Sequence, residues 1–307
     1  MQTAPCSMRL QVNGLSYAAQ RWVNVSEEQG KNEFAHSKSV RKVLCLHGWL
    51  DNSESFARLA PLLKGCDVVA IDMAGHGKTS HRAAHASYDI YDDLEDIGDI
   101  ADALDWDQFT LLGHSRGAGV AFLYASVMPE RVKSLVLLDG IVPPPWLNKN
   151  VVEQLRAYLL DRQRLRAKTS RPYATLDEAI ERRLLSTKLA VDEGRAMIER
   201  DLIKTDNGFV WSHDNRLHGN SAVRFSAAEL DVFLSSLTLP TLLLAALDGH
   251  LKEYALPKDL TKNACIELYW LPGKHHFHME GAQVSGVAQK INHWWASAPT
   301  VEAQLSS

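Results

Sequence analysis

Short apolar runs alternate with longer amphipathic stretches along most of this 307-residue chain. Continuous apolarity over four to six residues is typical of strands buried on both faces of a parallel sheet. Between the runs, residues such as Leu94, Ile97 and Leu104 recur at helical spacing, which predicts helices with one buried face. The alternation predicts an α/β fold with a mostly parallel central sheet flanked by helices. The runs occupy residues 43–46, 68–71, 109–112, 135–138, 242–245 and 266–271.

Two departures from this alternation predict how the chain is divided into a core and an insertion. Asn13-Gly14 lies between short apolar segments and predicts a hairpin, so the sheet should begin with antiparallel strands. The alternation stops at the prolines 143–145 and resumes at Pro240, with arginine-rich helical sequence between them. We predict a core of residues 1–143 and 238–307, and a helical cap of residues 144–237 inserted after the sixth strand. Because open α/β sheets bind ligands at the carboxyl ends of their strands, the cap should cover that edge.

Composition excludes several classes of protein. With 33 Lys+Arg, 37 Asp+Glu and 46% hydrophobic residues, the chain is typical of an ordinary acidic globular protein. The N-terminus lacks the basic start and apolar core of a secretory signal, and no run of 18 apolar residues occurs, so we expect a cytoplasmic protein with no membrane partner. The four cysteines are far apart and form no C-x-x-C pair, which argues against a disulfide framework.

One segment, residues 153–171, is rich in arginine and could in principle bind nucleic acid or an anionic surface. The leucines interleaved with these arginines favour an amphipathic lid helix with a solvated basic face. We therefore expect no nucleic-acid partner. The leucines are Leu155, Leu159, Leu160 and Leu165.

A G-x-S-x-G pattern, Gly113-His114-Ser115-Arg116-Gly117, follows an apolar run directly and precedes helical sequence. In this setting a sharp turn between strand and helix exposes the serine hydroxyl above the sheet, and its strained backbone requires small neighbours at Gly113 and Gly117. The N-terminus of the next helix points N–H groups at a developing oxyanion. The pattern predicts Ser115 as a nucleophile, although a glycine-rich turn with a passive serine would share the same letters.

A serine hydroxyl needs a base, and the base needs a third group to orient it. Candidates follow later apolar runs: Asp248 comes after 242–245, and the histidines His275, His276 and His278 come after 266–271. The order Ser, Asp, His is that of α/β-hydrolases and differs from those of chymotrypsin-like and subtilisin-like proteases. We expect no metal at these histidines, because no carboxylate or cysteine joins them at ligand spacing.

The sequence resembles the α/β-hydrolase superfamily over nearly its whole length. The matching segments are residues 46–52, residues 72–77, the Ser115 motif and the final His-x-x-His-Met-Glu. Within the superfamily, the sequence is most similar to the serine hydrolase-like protein group, in particular at residues 47–52, 113–117 and 211–217.

The resemblance implies a role for each candidate. Ser115 would be the nucleophile, and His275, five residues before Glu280, would be the base, with His276 and His278 as rivals. Asp248 would be the acid. Asp139 is its rival, because some members of the superfamily carry the acid at the end of the preceding strand.

The expected oxyanion donors are two backbone N–H groups. One belongs to Arg116, which follows the nucleophile, and by resemblance the other belongs to Trp49, in the loop after the first central strand. The resemblance also implies that His47, beside this loop, is structural. We expect the side chain of Arg116 to form a structural ion pair.

No cofactor motif is complete. Gly77-Lys78-Thr79 ends like a phosphate-binding loop, but Asp72 stands where the first glycine is required. Gly117-Ala118-Gly119 is followed by Phe122 at the third glycine position of a dinucleotide-binding fingerprint. We therefore expect catalysis without a cofactor.

Together these features predict a cofactor-independent serine hydrolase that cleaves small carboxylic esters, or thioesters, through an acyl-enzyme. Its partner would be a small-molecule acyl substrate. Two alternatives stay open: a hydrolase of carbon-carbon bonds in diketone-like substrates, which uses the same fold and triad, and a hydrolase-fold binding protein without catalysis.

Overall fold

The computed structural model describes residues 4–25, 40–142, 150–253 and 260–297. The strands in these ranges are β1 (Cys6–Val12), β2 (Leu15–Asn24), β3 (Arg41–Leu46), β4 (Cys66–Ile71), β5 (Phe109–His114), β6 (Val132–Leu138), β7 (Leu202–Thr205), β8 (Gly208–Trp211), β9 (Thr241–Asp248) and β10 (Ile266–Lys274). The helices are α1 (Ile90–Ala103), α2 (Arg116–Val127), α3 (Val151–Arg166), α4 (Leu176–Thr187), α5 (Val191–Arg200), α6 (Ala227–Ser236), α7 (His250–Glu253) and α8 (Val284–Ser297).

In the described part of the chain, eight strands form one sheet in the order β1-β2-β4-β3-β5-β6-β9-β10. β2 pairs antiparallel with both β1 and β4, and every later pair is parallel. The β1–β2 turn is the predicted hairpin, with positive φ of 49° at Asn13 and 74° at Gly14. Those angles are the ones that the turn types favoured in two-residue hairpins require. The mostly parallel sheet that the apolar runs predicted is therefore confirmed.

The central strands are buried on both faces, and their side chains alternate between two apolar layers. On β3, Leu44 and Leu46 pack into the layer that contains α1 and α2. Val43 and Cys45 point the other way, into the layer that contains α8. This double burial explains why the strands appear in the sequence as continuous apolar runs instead of alternating ones.

Between β6 and β9 lies an insertion, here the described residues 150–237, with helices α3 to α6 and the antiparallel hairpin of β7 and β8. The predicted start of the cap, residue 144, lies outside the described residues. Its predicted end at 237 falls in the connection between α6 and β9. The expectation of purely helical sequence is wrong for the hairpin, where Gly208 has φ +117° and a Cβ there would lie 2.1 Å from the Tyr173 carbonyl oxygen.

Helix α3 also differs from the amphipathic helix that the leucines predicted. Leu155, Leu159 and Leu160 are each about half exposed, at 47%, 54% and 52%. Of the side chains described in this helix, Gln154 and Leu165 are buried.

The insertion is fastened to the loops that follow β3 and β4. The Nε of Arg200 lies 3.0 Å from both carboxylate oxygens of Asp72, and the Asp72 side chain is fully buried. The Asn52 side chain donates a hydrogen bond of 2.8 Å to the Met197 carbonyl. These loops leave the carboxyl ends of their strands, so the insertion packs against that edge of the sheet.

Among the described residues, no helix combines the length and apolar character needed to cross a membrane.

Candidate active site

Ser115 stands at the tight turn between β5 and α2. Its φ of 52° and ψ of −116° are strained for a residue with a side chain. The turn fits because its neighbours are glycines: a Cβ on Gly113 would lie 2.5 Å from the Gly117 carbonyl oxygen, and a Cβ on Gly117 would lie 2.1 Å from the Leu46 carbonyl oxygen. The geometry is that of a nucleophile elbow, which holds the Ser115 hydroxyl at the carboxyl end of the sheet.

His275 follows the last residue of β10 and meets Ser115 across the strand ends. Its Nε2 lies 2.9 Å from the Ser115 Oγ, within hydrogen-bond distance. The rival histidines point elsewhere: the Nε2 of His276 lies 3.2 Å from the Asp51 carboxylate, and His278 is fully buried. Of the three predicted candidates, His275 is the one that the structure brings to the serine.

The structure corrects the predicted acid. The carboxylate that contacts the Nδ1 of His275, at 2.7 Å, belongs to Asp139 at the end of β6. Asp248 does not reach this histidine: its side chain is 74% exposed, and its nearest charged partner is Lys252, at 3.5 Å. Asp139, the rival in the sequence argument, takes the position predicted for Asp248.

The lengths of β6 and β9 explain why Asp139, and not Asp248, contacts His275. β6 ends at Leu138, which pairs with Leu244 of β9, and the Asp139 N–H donates to the Leu244 carbonyl. β9 continues to Asp248, four residues beyond Leu244. At about 3.3 Å per residue, Asp248 lies about 13 Å beyond Leu244 along β9 and beside Lys274, whereas Asp139 follows directly the residue that pairs with Leu244.

Several groups hold the Asp139 carboxylate in place. Its Oδ1 accepts a hydrogen bond from the Ala246 N–H at 3.1 Å, and its Oδ2 accepts one from the His250 N–H at 2.7 Å. Gly249 permits this approach, because a Cβ there would lie 2.2 Å from Oδ2. Although burial favours the neutral acid, the bond to His275 and these N–H donors lower the pKa of Asp139, so the side chain is a carboxylate.

The imidazole of His275 lies in a largely dry environment. Burial lowers its pKa to about 4, against the opposing effect of the Asp139 carboxylate. The ring of His250 stacks on it, with centroids 3.6 Å apart. At neutral pH His275 is therefore unprotonated at one nitrogen. Because its Nδ1–H donates to Asp139, the Nε2 lone pair faces Ser115.

The predicted oxyanion donors lie in the two loops beside Ser115. Arg116 begins α2, and Trp49 lies in the turn after β3. In the described structure neither backbone N–H donates to another group. His47 braces this turn: its Nδ1–H donates to the Gly48 carbonyl at 2.8 Å, and its Nε2 accepts from the Met73 N–H at 2.9 Å.

The remaining side chains near this site have structural contacts. The Arg116 guanidinium pairs with Asp93 at 2.5 Å, as predicted for a structural ion pair. The Trp49 indole N–H donates to the Leu217 carbonyl of the insertion at 3.0 Å. A group of buried imidazoles, His114, His276 and His278, lies behind His275.

Sequence reasoning did not identify three of these features: the hydrogen bonds to Asp139 from the turn after β9, the stacking of His250 on His275, and the packing of His276 and His278 against His114. A strand-end Asp-Gly at 139–140 was the available signal for the acid. The close approach that requires Gly249 depends on the packing of β6 against β9, which the sequence does not display.

The chain matches proteins of known fold over most of its length. The family described as alpha/beta hydrolase fold matches residues 42–281. A serine hydrolase-like protein of Danio rerio is 31% identical over 270 residues, which cover 79% of this chain and 78% of the relative. The solved structure of a hypothetical protein from Pseudomonas aeruginosa PAO1 has a TM-score of 0.84 at 33% identity, covering 96% of this chain and all of the other.

A thioesterase domain from the curacin biosynthetic pathway superposes with a TM-score of 0.77 at 25% identity, covering 94% of this chain and 99% of that domain.

With the elbow, the sheet order and these matches together, the chain belongs to the α/β-hydrolase superfamily. The predicted fold class is confirmed. Within the superfamily, the similarity to the serine hydrolase-like proteins that the motifs predicted is also confirmed.

Proposed function

We propose that this hydrolase cleaves small carboxylic esters through an acyl-enzyme, with Ser115 as nucleophile, His275 as base and Asp139 as the acid that orients it. One observation carries the proposal: Asp139, His275 and Ser115 form a continuous hydrogen-bonded chain, with links of 2.7 Å and 2.9 Å, that ends at a strained elbow. This is the arrangement that activates a serine hydroxyl in unrelated hydrolases.

The first half of the reaction follows from the proton positions. Ser115 Oγ attacks the acyl carbonyl as its proton moves to the Nε2 of His275. Asp139 then stabilises the imidazolium that forms, and His275 returns the proton to the leaving alcohol. Water repeats the sequence on the acyl-enzyme and regenerates Ser115.

The charge on the tetrahedral intermediate needs donors at the elbow. We assign this role to the N–H groups of Arg116 and Trp49, which have no other acceptor in the described structure. The N–H of Arg116 is also at the N-terminus of α2, where the helix dipole favours negative charge. His47 would keep the Trp49 turn in place through its bonds to Gly48 and Met73.

We further propose that the insertion acts as a cap that sets substrate size. Its attachment to the loops after β3 and β4 supports this role, because those loops border the proposed oxyanion donors. The Trp49 side chain, bonded to the Leu217 carbonyl, would then link the acyl site to the cap.

Thioesters are a second candidate. The 25% identical neighbour of known structure is a thioesterase domain, and it matches nearly the whole of this chain. An acyl-enzyme forms equally from either substrate, so the leaving group would distinguish the two.

Fluorophosphonate labelling tests the proposal. The wild type, Ser115→Ala, His275→Gln and the matched surface variant Ser235→Ala would each be labelled and mapped by mass spectrometry. We expect label on Ser115 in the wild type and in Ser235→Ala, much slower label in His275→Gln and none in Ser115→Ala. A folded wild type that takes no label would refute the nucleophile assignment.

Turnover separates the substrate classes. p-Nitrophenyl esters of two to eight acyl carbons and the matching acyl-coenzyme A thioesters would be compared under identical conditions. Ester turnover that requires Ser115 supports the proposed activity. Turnover of the thioesters alone would replace it with the second candidate.

A further inference from the structure

Three buried side chains behind His275 bring potential metal-ligand atoms together. They are the Asp51 Oδ2, the His114 Nδ1 and the His276 Nε2, and these atoms lie within 4.8 Å of one another. The three residues come from the turn after β3, the end of β5 and the loop after β10. The sequence argument against a metal site considered only neighbours of the histidines along the chain, and Asp51 comes from a distant loop.

The hydrogen bonds of His114 leave two acceptors facing each other. Its Nε2 lies 2.9 Å from the His275 carbonyl oxygen, which can only accept, so the proton of the neutral ring is on Nε2. The Nδ1 lone pair then points toward the Asp51 carboxylate, 3.6 Å away. Within the described residues this buried Nδ1 has no hydrogen-bond partner.

The distance between Asp51 and His114 suits a shared cation better than a direct bond. A separation of 3.6 Å is too long for a normal N–H···O bond. Two ligands that bind zinc at about 2.1 Å in a tetrahedral arrangement lie about 3.4 Å apart. The Asp51–His276 and Asp51–His114 separations of 3.2 Å and 3.6 Å are close to that value on either side.

We propose that Asp51, His114 and His276 form a binding site for a divalent transition metal such as Zn²⁺. Two imidazoles and one carboxylate are a donor set that favours zinc or cobalt over magnesium or calcium. The bond from His114 Nε2–H to the His275 carbonyl supplies the outer partner that metal-bound histidines normally have.

His278 is the candidate for a fourth ligand. It is fully buried, and both of its ring nitrogens lack hydrogen-bond partners in the described structure. Its ring centroid lies 4.3 Å from that of His114. The other oxygen of Asp51 faces the Arg183 guanidinium, 3.7 Å away, which leaves Oδ2 for the metal.

The position of the site predicts a functional effect, and this second step rests on the proposed function. His114 and His276 are the chain neighbours of Ser115 and His275, and His114 also bonds the His275 backbone. A metal bound to both would restrain the nucleophile and the base together. We therefore expect Zn²⁺ to inhibit hydrolysis at the concentrations at which it binds this site.

Cobalt provides a readout that does not depend on hydrolysis. Full-length protein freed of metal by a chelator would be titrated with Co²⁺, whose four-coordinate complexes absorb strongly in the visible region. We expect visible bands in the wild type and in Ser115→Ala, and we expect Zn²⁺ to abolish them by displacement.

Variants locate the site. Asp51→Asn and His276→Gln should each weaken Zn²⁺ binding at least 10-fold and lose the bands, while His293→Gln, an exposed histidine on α8, should bind like the wild type. Near-ultraviolet circular dichroism would establish that each variant is folded, and a second substitution, Asp51→Ser, serves if Asp51→Asn does not fold.

Two results would overturn the proposal: the absence of cobalt bands in the folded wild type, or bands that persist in both Asp51→Asn and His276→Gln. Bands in Ser115→Ala without esterase activity in the wild type would leave the metal site standing and remove the proposed function alone.

Discussion

Two strands side by side in the sheet, β6 and β9, end in the same dipeptide, Asp-Gly, yet the two aspartates have opposite surroundings. Asp139 is buried and accepts hydrogen bonds from His275, Ala246 and His250. Asp248 is mostly exposed and has a loose contact with Lys252. The difference shows that residue type at a strand end does not define an acid: the contact that its side chain makes with the histidine does.

The turn after β6 carries the acid, and the turn after β9 holds it in place. Asp139 itself takes a positive φ of 43°, which turns the chain sharply out of β6. The residues after Asp248 then supply Gly249, whose missing Cβ admits the Asp139 carboxylate, and the His250 N–H, which binds it. The turn after β9 thus serves as the support for the acid of the turn after β6.

The largest predicted effect is the difference in catalytic rate between variants of the two aspartates. Asp139→Asn should lower kcat for p-nitrophenyl butyrate on the order of 10⁴-fold, because an amide favours the wrong tautomer of His275 and does not stabilise its charged form. Asp248→Asn should stay within about 2-fold of the wild type, since its side chain is exposed and does not reach the histidine. Steady-state kinetics on both variants measure the difference, and a large loss in Asp248→Asn with little change in Asp139→Asn would return the acid role to Asp248.

A smaller effect on rate tests whether the Asp139 carboxylate depends on the close approach that Gly249 permits. Gly249→Ala would place a Cβ 2.2 Å from Asp139 Oδ2, so the carboxylate must shift. A displacement of about 1 Å costs roughly 10²-fold in rate. The matched control is Gly286→Ala on α8, where a Cβ meets no atom within 4 Å. Rates should fall in the first variant alone, and unchanged turnover in Gly249→Ala would mean that Asp139 does not need this turn.

The pH dependence of kcat/KM tests the buried environment of His275. His275 must be neutral to accept a proton, and burial lowers its pKa to about 4. The value of kcat/KM should therefore rise as pH increases through about 4 and level off above it, whereas an ordinary histidine would give a midpoint near 6.5. Asp248→Asn should leave that midpoint in place. A midpoint near 6.5 in the wild type would show that the imidazole is well hydrated.

The smallest expected effect concerns stability. Asp248→Ala removes an exposed ion pair with a 3.5 Å separation and should change the free energy of unfolding by less than about 0.5 kcal/mol. Urea denaturation of the variant and of Lys252→Ala would measure it. A loss well above about 1 kcal/mol in both would show that the Asp248 region is packed more tightly than its exposure indicates.

The sequence predicts the sheet well because burial on both faces leaves continuous apolar runs, and it predicts the elbow because strained turns restrict residues to glycine. Ser115 could be named from its setting between a strand and a helix, and His275 could be preferred to His276 and His278 through the resemblance to the family. Asp139 could be named only as a rival, because the choice depends on the register between β6 and β9, where Leu138 pairs with Leu244. The approach of Asp51 to His114 is likewise a product of tertiary packing, and no local pattern encodes it.

The ion pair between Arg200 and Asp72 has a consequence for how substrates enter. Swinging the insertion away as a rigid lid would leave the Asp72 carboxylate buried without its cation, at a cost of about 3–5 kcal/mol. At equilibrium such an open state would be a minor population, below about 1%. An entry route that leaves this ion pair intact avoids that cost, so the contact favours access of substrate to Ser115 with the insertion in place.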